Sequence, residues 1–186
     1  QRPLPPMRSA TLTPQREAVA QTLLTTDPSV VAKVLRRIFT VPFCALSVRH
    51  LLKQRWMQAD QSPPFAQLVS LFNKIHGWGV SWILEHEQSK DRAACISFLL
   101  KCARRCQKGS NFHGALSLFF AVNDPAIARL NKTWAKVPAK PTAYLNDLKA
   151  LVDPKSNHAC YAAALRKAME SPTVVPYMAL VSKYLF

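Results

Sequence analysis

Four glycines and 14 prolines within 186 residues constrain this chain more than any other feature. The prolines sit between segments whose apolar residues recur at helical spacing, so they punctuate helix starts and stops. Thr13-Pro14, Asp27-Pro28 and Ser62-Pro63-Pro64 each read as a capping residue followed by proline in the first helical turn. Asn123-Asp124-Pro125 is a turn and a fresh start, Asp153-Pro154 separates two segments, and Ser171-Pro172 ends one. The pattern predicts an all-α fold, a single compact multi-helix domain at 13–186 behind a flexible Pro-rich leader at 1–12. Expected helices cover 14–24, 28–39 (broken by Pro42), 43–57, 63–86, 89–108, 111–122, 127–134, 139–152 and 156–169, with an apolar stretch from Val174 to Phe186.

Periodicity also nominates a core. Val30, Val31, Val34, Leu35 and Ile38 share a spacing, Leu46, Leu51 and Leu52 follow, and Ala94, Cys95, Phe98, Leu99, Cys102 and Cys106 form the clearest stripe. About half the residues are apolar, enough for one substantial core. Gly77 and Gly79 fall inside the 63–86 helix, where each costs up to ~1 kcal/mol relative to alanine unless close packing needs it.

The formal charge of +15 predicts attraction to polyanions. Modest clusters lie at Arg36-Arg37, Arg49 to Arg55, Lys101 to Lys108 and Lys132 to Lys140. No zinc finger, RNA-binding signature or aromatic-basic interleave accompanies them, so nucleic acid is not the expected partner. An anionic membrane surface stays open. No apolar run approaches the ~20 residues that span a bilayer, and no apolar segment of a signal peptide opens the chain. The first residue is Gln1, as in a piece of a longer protein. Five irregularly spaced cysteines argue against a disulfide framework and suit a reducing, cytoplasmic compartment. Cys95, Cys102 and Cys106 share a helical face, but no CxxC or nearby histidine completes a metal set, so they read as small buried thiols.

No catalytic constellation emerges. Phosphate loops, dinucleotide fingerprints, HExxH and nucleophile elbows are all missing from the sequence. His86 lies between Glu85 and Glu87, but adjacent helical residues point to different faces and cannot converge on one ion. No cofactor or metal is expected.

Several phrases, taken in order, carry a resemblance. Leu71-Phe72-Asn73-Lys74-Ile75-His76-Gly77-Trp78 is similar to an RFNKLSNWV segment. Arg92-Ala93, Ile96, Leu99-Leu100, Ala103 and Cys106 fit R-A-x-x-I-x-x-F-I-x-x-A-x-x-C, and Ser110 to Gly114 resembles NNFNS. Ala121-Val122-Asn123, Arg129 to Trp134, Leu151 to His158 and Val175-Pro176-Tyr177 resemble GLNSSP, RLKKTWEKL, LLDPSKNF and IPFLG. Leu51-Leu52 and Trp56 fit ELLxxxW. Together, from about residue 26 to 186, they resemble the catalytic domain of Ras-family guanine-nucleotide exchange factors.

The resemblance implies an all-helical module that holds apart the switch regions of a Ras, Rap or Ral type small GTPase and expels its nucleotide, with no covalent chemistry. It implies a pocket for a switch aromatic walled by Val69, Leu116 and Tyr177, with His158 at its lip. It implies that Asn123 reaches the switch I side, that Asn73 and Lys74 border the GTPase, that Asn111 fixes a helix start and that Arg129 braces the fold. Asn123 before Asp-Pro also fits a simple turn former. The sequence departs from the family at His50, Pro125, Ala126 and Tyr184. Phe186 falls where the family's helical hairpin begins, so the domain is expected to be incomplete at its C-terminus. Three readings remain: an exchange factor, an inactive docking module for a GTPase or adaptor, and a basic helical module on anionic membrane or nucleic acid.

Overall fold

The computed structural model describes residues 22–170 and 173–184. Its helices are α1 (Pro28–Cys44), α2 (Val48–Leu51), a 3-10 segment (Leu52–Met57), α3 (Pro63–Leu84), α4 (Ser89–Lys108), α5 (Phe112–Val122), α6 (Pro125–Ala128), α7 (Asn131–Trp134), α8 (Ala139–Val152), α9 (Ala159–Ala168) and α10 (Met178–Tyr184). Among the described residues the one β pairing is an isolated parallel bridge between Asn111 and Val175. The leader, the helix start at Pro14 and Phe186 lie outside the described residues.

The starts follow from capping chemistry. Asp27 accepts the Ser29 N–H at 2.7 Å and Asp124 accepts the Ala126 N–H at 2.8 Å, each satisfying a donor that the first turn leaves orphaned. Pro28, Pro63 and Pro125 occupy first-turn positions where no N–H is needed. Asn111 caps α5 through the Gly114 N–H at 3.0 Å, as expected of it.

The α4–α5 pair forms the centre. α5 packs on α3 and α4, and α4 also meets α1 and α8. An apolar helix so enclosed buries nearly every side chain, including Leu116, Leu118 and Phe119. Each contributes roughly 1.5–3 kcal/mol of transfer free energy. Cys95, Cys102 and Cys106 are buried in α4. Desolvation pushes the Cys95 and Cys106 thiols up to about 12 and raises Cys102 as well, so all three behave as inert apolar groups. Gly79 lets α3 and α5 approach: a Cβ there would stand 2.8 Å from the Ala121 Cβ.

Two tethers fix the periphery. Arg92 donates to the His86 and Glu87 carbonyls, both at 2.8 Å, and to Thr133 Oγ1 at 3.0 Å, binding the α3–α4 turn to α7. Arg36 donates to the Thr173 carbonyl at 2.6 Å, while the Phe112 N–H donates to the Val175 carbonyl at 2.9 Å and the Val175 N–H donates to the Ser110 carbonyl at 3.0 Å, on either side of the Asn111–Val175 bridge. This second tether positions Tyr177.

Several expectations need correction. α1 does not stop at Pro42 but runs through it to Cys44, with Pro42 on the buried face. Val30, Val34 and Ile38 face outward, because Ala32, Leu35, Phe39 and Pro42 form the stripe that packs inward. The 43–57 helix is instead α2 plus a 3-10 segment, interrupted by Lys53 and Gln54 in the left-handed region, and Leu52 is exposed. Ala93, not Ala94, joins the α4 core. The helix expected from 156 starts at Ala159, because Ser156, Asn157 and His158 all have positive φ. Arg129 is exposed, and the bracing arginine is Arg92.

Candidate functional site

α3 carries several of the candidate residues. Val69, Phe72, Asn73 and His76 recur at i, i+3, i+4 and i+7, which places them along one stripe of the helix. At its N-terminal end Val69 and Asn73 line an open groove of about 620 Å³. The opposite wall is the 3-10 segment, through Trp56 and Met57, and Trp56 and Phe65 bring their rings to 6.3 Å at its base. The left-handed Lys53–Gln54 pair interrupts the segment just before Trp56, whose ring packs near Phe65 of α3. Val69 is 43% exposed and Met57 is 72% exposed, so the groove presents apolar side chains at the surface.

Midway along the stripe, Phe72 meets an aromatic cluster. Its ring lies 5.5 Å from Tyr177, 5.3 Å from His113 and 6.1 Å from Phe120. Tyr177 is half-buried, and burial raises its phenol pKa. Its backbone N–H donates to Tyr161 Oη at 2.6 Å. His113 is the polar centre of the cluster. Nε2 faces the Leu68 carbonyl and Nδ1 accepts the Met178 N–H, both at 3.4 Å, while Phe39 stands edge-on at 4.8 Å. Desolvation lowers its pKa to about 4, so the imidazole is neutral at physiological pH.

At the far end His76 Nε2 lies 3.4 Å from Asp124 Oδ2. This contact ties the stripe to the turn holding Asn123, the half-buried C-cap of α5. Asp124, not Asn123, makes the side-chain bond that sets the turn, so the turn does not consume the Asn123 amide.

Val69, Asn73, Asn123 and Tyr177 are thus connected along a single helix. Leu116 is fully buried and presents no surface in this conformation. It lies one turn before Phe120 on α5, beneath the cluster. His158 joins through α10: its left-handed backbone directs Nδ1 to the Val152 carbonyl at 3.2 Å, and Nε2 lies 3.4 Å from Lys183 Nζ. Phe72, His76, His113 and Phe120, which contact the candidate residues or their neighbours, were not among the residues the sequence nominated. The i+3 and i+7 spacing of Phe72 and His76 from Val69 was the available signal. Among the described residues no three His, Cys, Asp or Glu side chains gather to hold a metal.

Comparison with known proteins bears on what such a surface is for. The RasGEF domain family matches residues 30–186. Ras guanine nucleotide exchange factor E of Dictyostelium discoideum is 25% identical over 86% of this chain and 16% of its own length. A Rap guanine nucleotide exchange factor of Caenorhabditis elegans is 28% identical over 90% of this chain and 12% of its own length. Ras guanine nucleotide exchange factor efc25 of Schizosaccharomyces pombe is 31% identical over 72% and 13%. The chain therefore spans a small part of the curated relatives it matches.

Proposed function

The chain belongs to the RasGEF domain family, and from that premise we propose that it binds a Ras-family small GTPase, of Ras, Rap or Ral type, and promotes GDP release. The reading is supported by one observation above the others: contacts along the α3 stripe link an exposed apolar groove, a half-buried tyrosine and the turn holding Asn123, whose amide that turn does not use. The groove takes an apolar or aromatic side chain from the GTPase between Trp56, Met57 and Val69. Tyr177 extends that wall with Leu116 behind it, Asn73 and Asn123 offer amides to the partner backbone, and His158 borders the site beside Lys183.

Such a surface needs no acid, base or nucleophile. It accelerates release by binding the nucleotide-free GTPase more tightly than the loaded form, which lowers the barrier between them. The domain acts as a regulator without covalent chemistry, at the cytoplasmic face of membranes, with nucleic acid outside its normal partners. The test is affinity for one GTPase in two states. Tighter capture of the nucleotide-free form than of the GDP form, weakened by Asn123→Ala, supports exchange. Equal affinity for both states turns the reading towards a docking module.

A further inference from the structure

α1 carries a second apolar stripe that the core does not use. Val30, Val34, Ile38 and Val41 are 49%, 52%, 37% and 66% exposed and recur at i, i+4, i+8 and i+11. Lys33 and Arg37, both exposed, stand on the same outward half of the helix. Lys33 also lines a cleft with Arg105 of α4, and Arg105 lines a larger one, about 580 Å³, with Lys101, Lys108 and Lys140. The acid in the larger cleft is Asp27, which is committed to capping α1. Arg104 is engaged as well, 3.7 Å from Asp147 and over the Tyr144 ring.

We propose that this face, the outward side of α1 with the adjoining cations of α4, docks the domain on an anionic membrane leaflet. Aliphatic side chains interleaved with Lys and Arg on one helix are the composition that lies in a bilayer interface, apolar groups among the acyl chains and cations at the phosphates. A nucleic acid would satisfy the cations but leave the four aliphatic side chains without a partner, and the cleft's aromatic ring is already covered by Arg104. The face shares no lining residue with the α3 groove, so it goes beyond the exchange reading and does not depend on it.

The test is co-sedimentation of the full chain with phosphatidylcholine vesicles, with and without phosphatidylserine. Binding is expected only when phosphatidylserine is present. The triple variant K33Q/R37Q/R105Q lowers it on the order of a hundredfold, from roughly fivefold per cation. V34S/I38S/V41S removes the binding that persists in high salt. K132Q/K149Q/K155Q, which removes the same charge elsewhere, retains most of the binding, and thermal melting by circular dichroism verifies that each variant is folded. Any of four results overturns the proposal: binding to neither vesicle, equal binding to both, equal loss in the K132Q/K149Q/K155Q control, or a V34S/I38S/V41S variant that changes only self-association. Loss of duplex DNA binding in K33Q/R37Q/R105Q, with vesicle binding unchanged, also overturns it. Nucleotide release measured in solution without vesicles is unchanged in K33Q/R37Q/R105Q, which separates this test from that of exchange.

Discussion

The Tyr161 hydroxyl accepts the backbone N–H of Tyr177 at 2.6 Å, and this bond anchors the segment that carries this candidate tyrosine. Tyr161 is fully buried on α9, with its ring edge-on to Phe112 of α5. Tyr161→Phe keeps the ring but leaves the Tyr177 N–H without its acceptor. The expected loss is about 1–3 kcal/mol in urea denaturation. GTPase affinity falls with it, because Tyr177 is no longer held against Phe72. Unchanged stability would mean that the N–H finds another acceptor.

His113 makes stability depend on pH. Its folded pKa of about 4 lies below the ordinary value of 6.5, so between those limits the unfolded chain binds more protons than the folded one. Its contribution is therefore complete above pH 6.5 and is lost as pH falls towards 4, at no more than ~1.4 kcal/mol per unit. Urea midpoints at pH 7.5 and 5.5 should differ in that direction, and His113→Phe should narrow the difference. No narrowing would place the pH dependence elsewhere.

Two glycines on α3 should respond oppositely to alanine. Nothing lies within 4 Å of a Cβ at Gly77, so Gly77→Ala should stabilise by about 0.5–1 kcal/mol through helix propensity. At Gly79 the new Cβ meets Ala121 at 2.8 Å, and overpacking should cost about 1–3 kcal/mol. Thermal melting of the pair reads the sign directly.

Val69 and Leu116 separate surface from support. Val69→Asp on the exposed groove should change stability by less than about 1 kcal/mol. It should weaken GTPase binding by roughly tenfold or more. Leu116→Ala should cost about 2–5 kcal/mol of stability, since it opens a cavity under the cluster. Denaturation and binding measured on both variants distinguish the roles.

Helix existence was legible in the sequence wherever chemistry is local. Asp27, Asp124 and their prolines marked starts that the structure keeps, and α8 runs over the expected 139–152. What depends on tertiary packing was not legible. α1 carries two apolar stripes of similar spacing, and periodicity cannot say which one meets α4. Pro42 reads as a breaker locally, yet its burial in the core accompanies an uninterrupted helix. The left-handed turns at Lys53–Gln54 and Ser156–His158 contain no glycine, so no residue type announced them. The candidate surface was half visible: Val69, Asn73, Asn123 and Tyr177 were nominated by resemblance, whereas the contacts of Phe72, His76 and His113 that link them required the fold.

Release of a fluorescent guanine nucleotide from Ras, Rap, Ral and Rho-type GTPases, driven by the full-length protein that carries this domain, tests the account most directly. The account predicts acceleration for a Ras-family member, lost on Asn123→Ala while the melting temperature is retained. No acceleration for any member, with every GTPase shown to be loaded and competent, would contradict it.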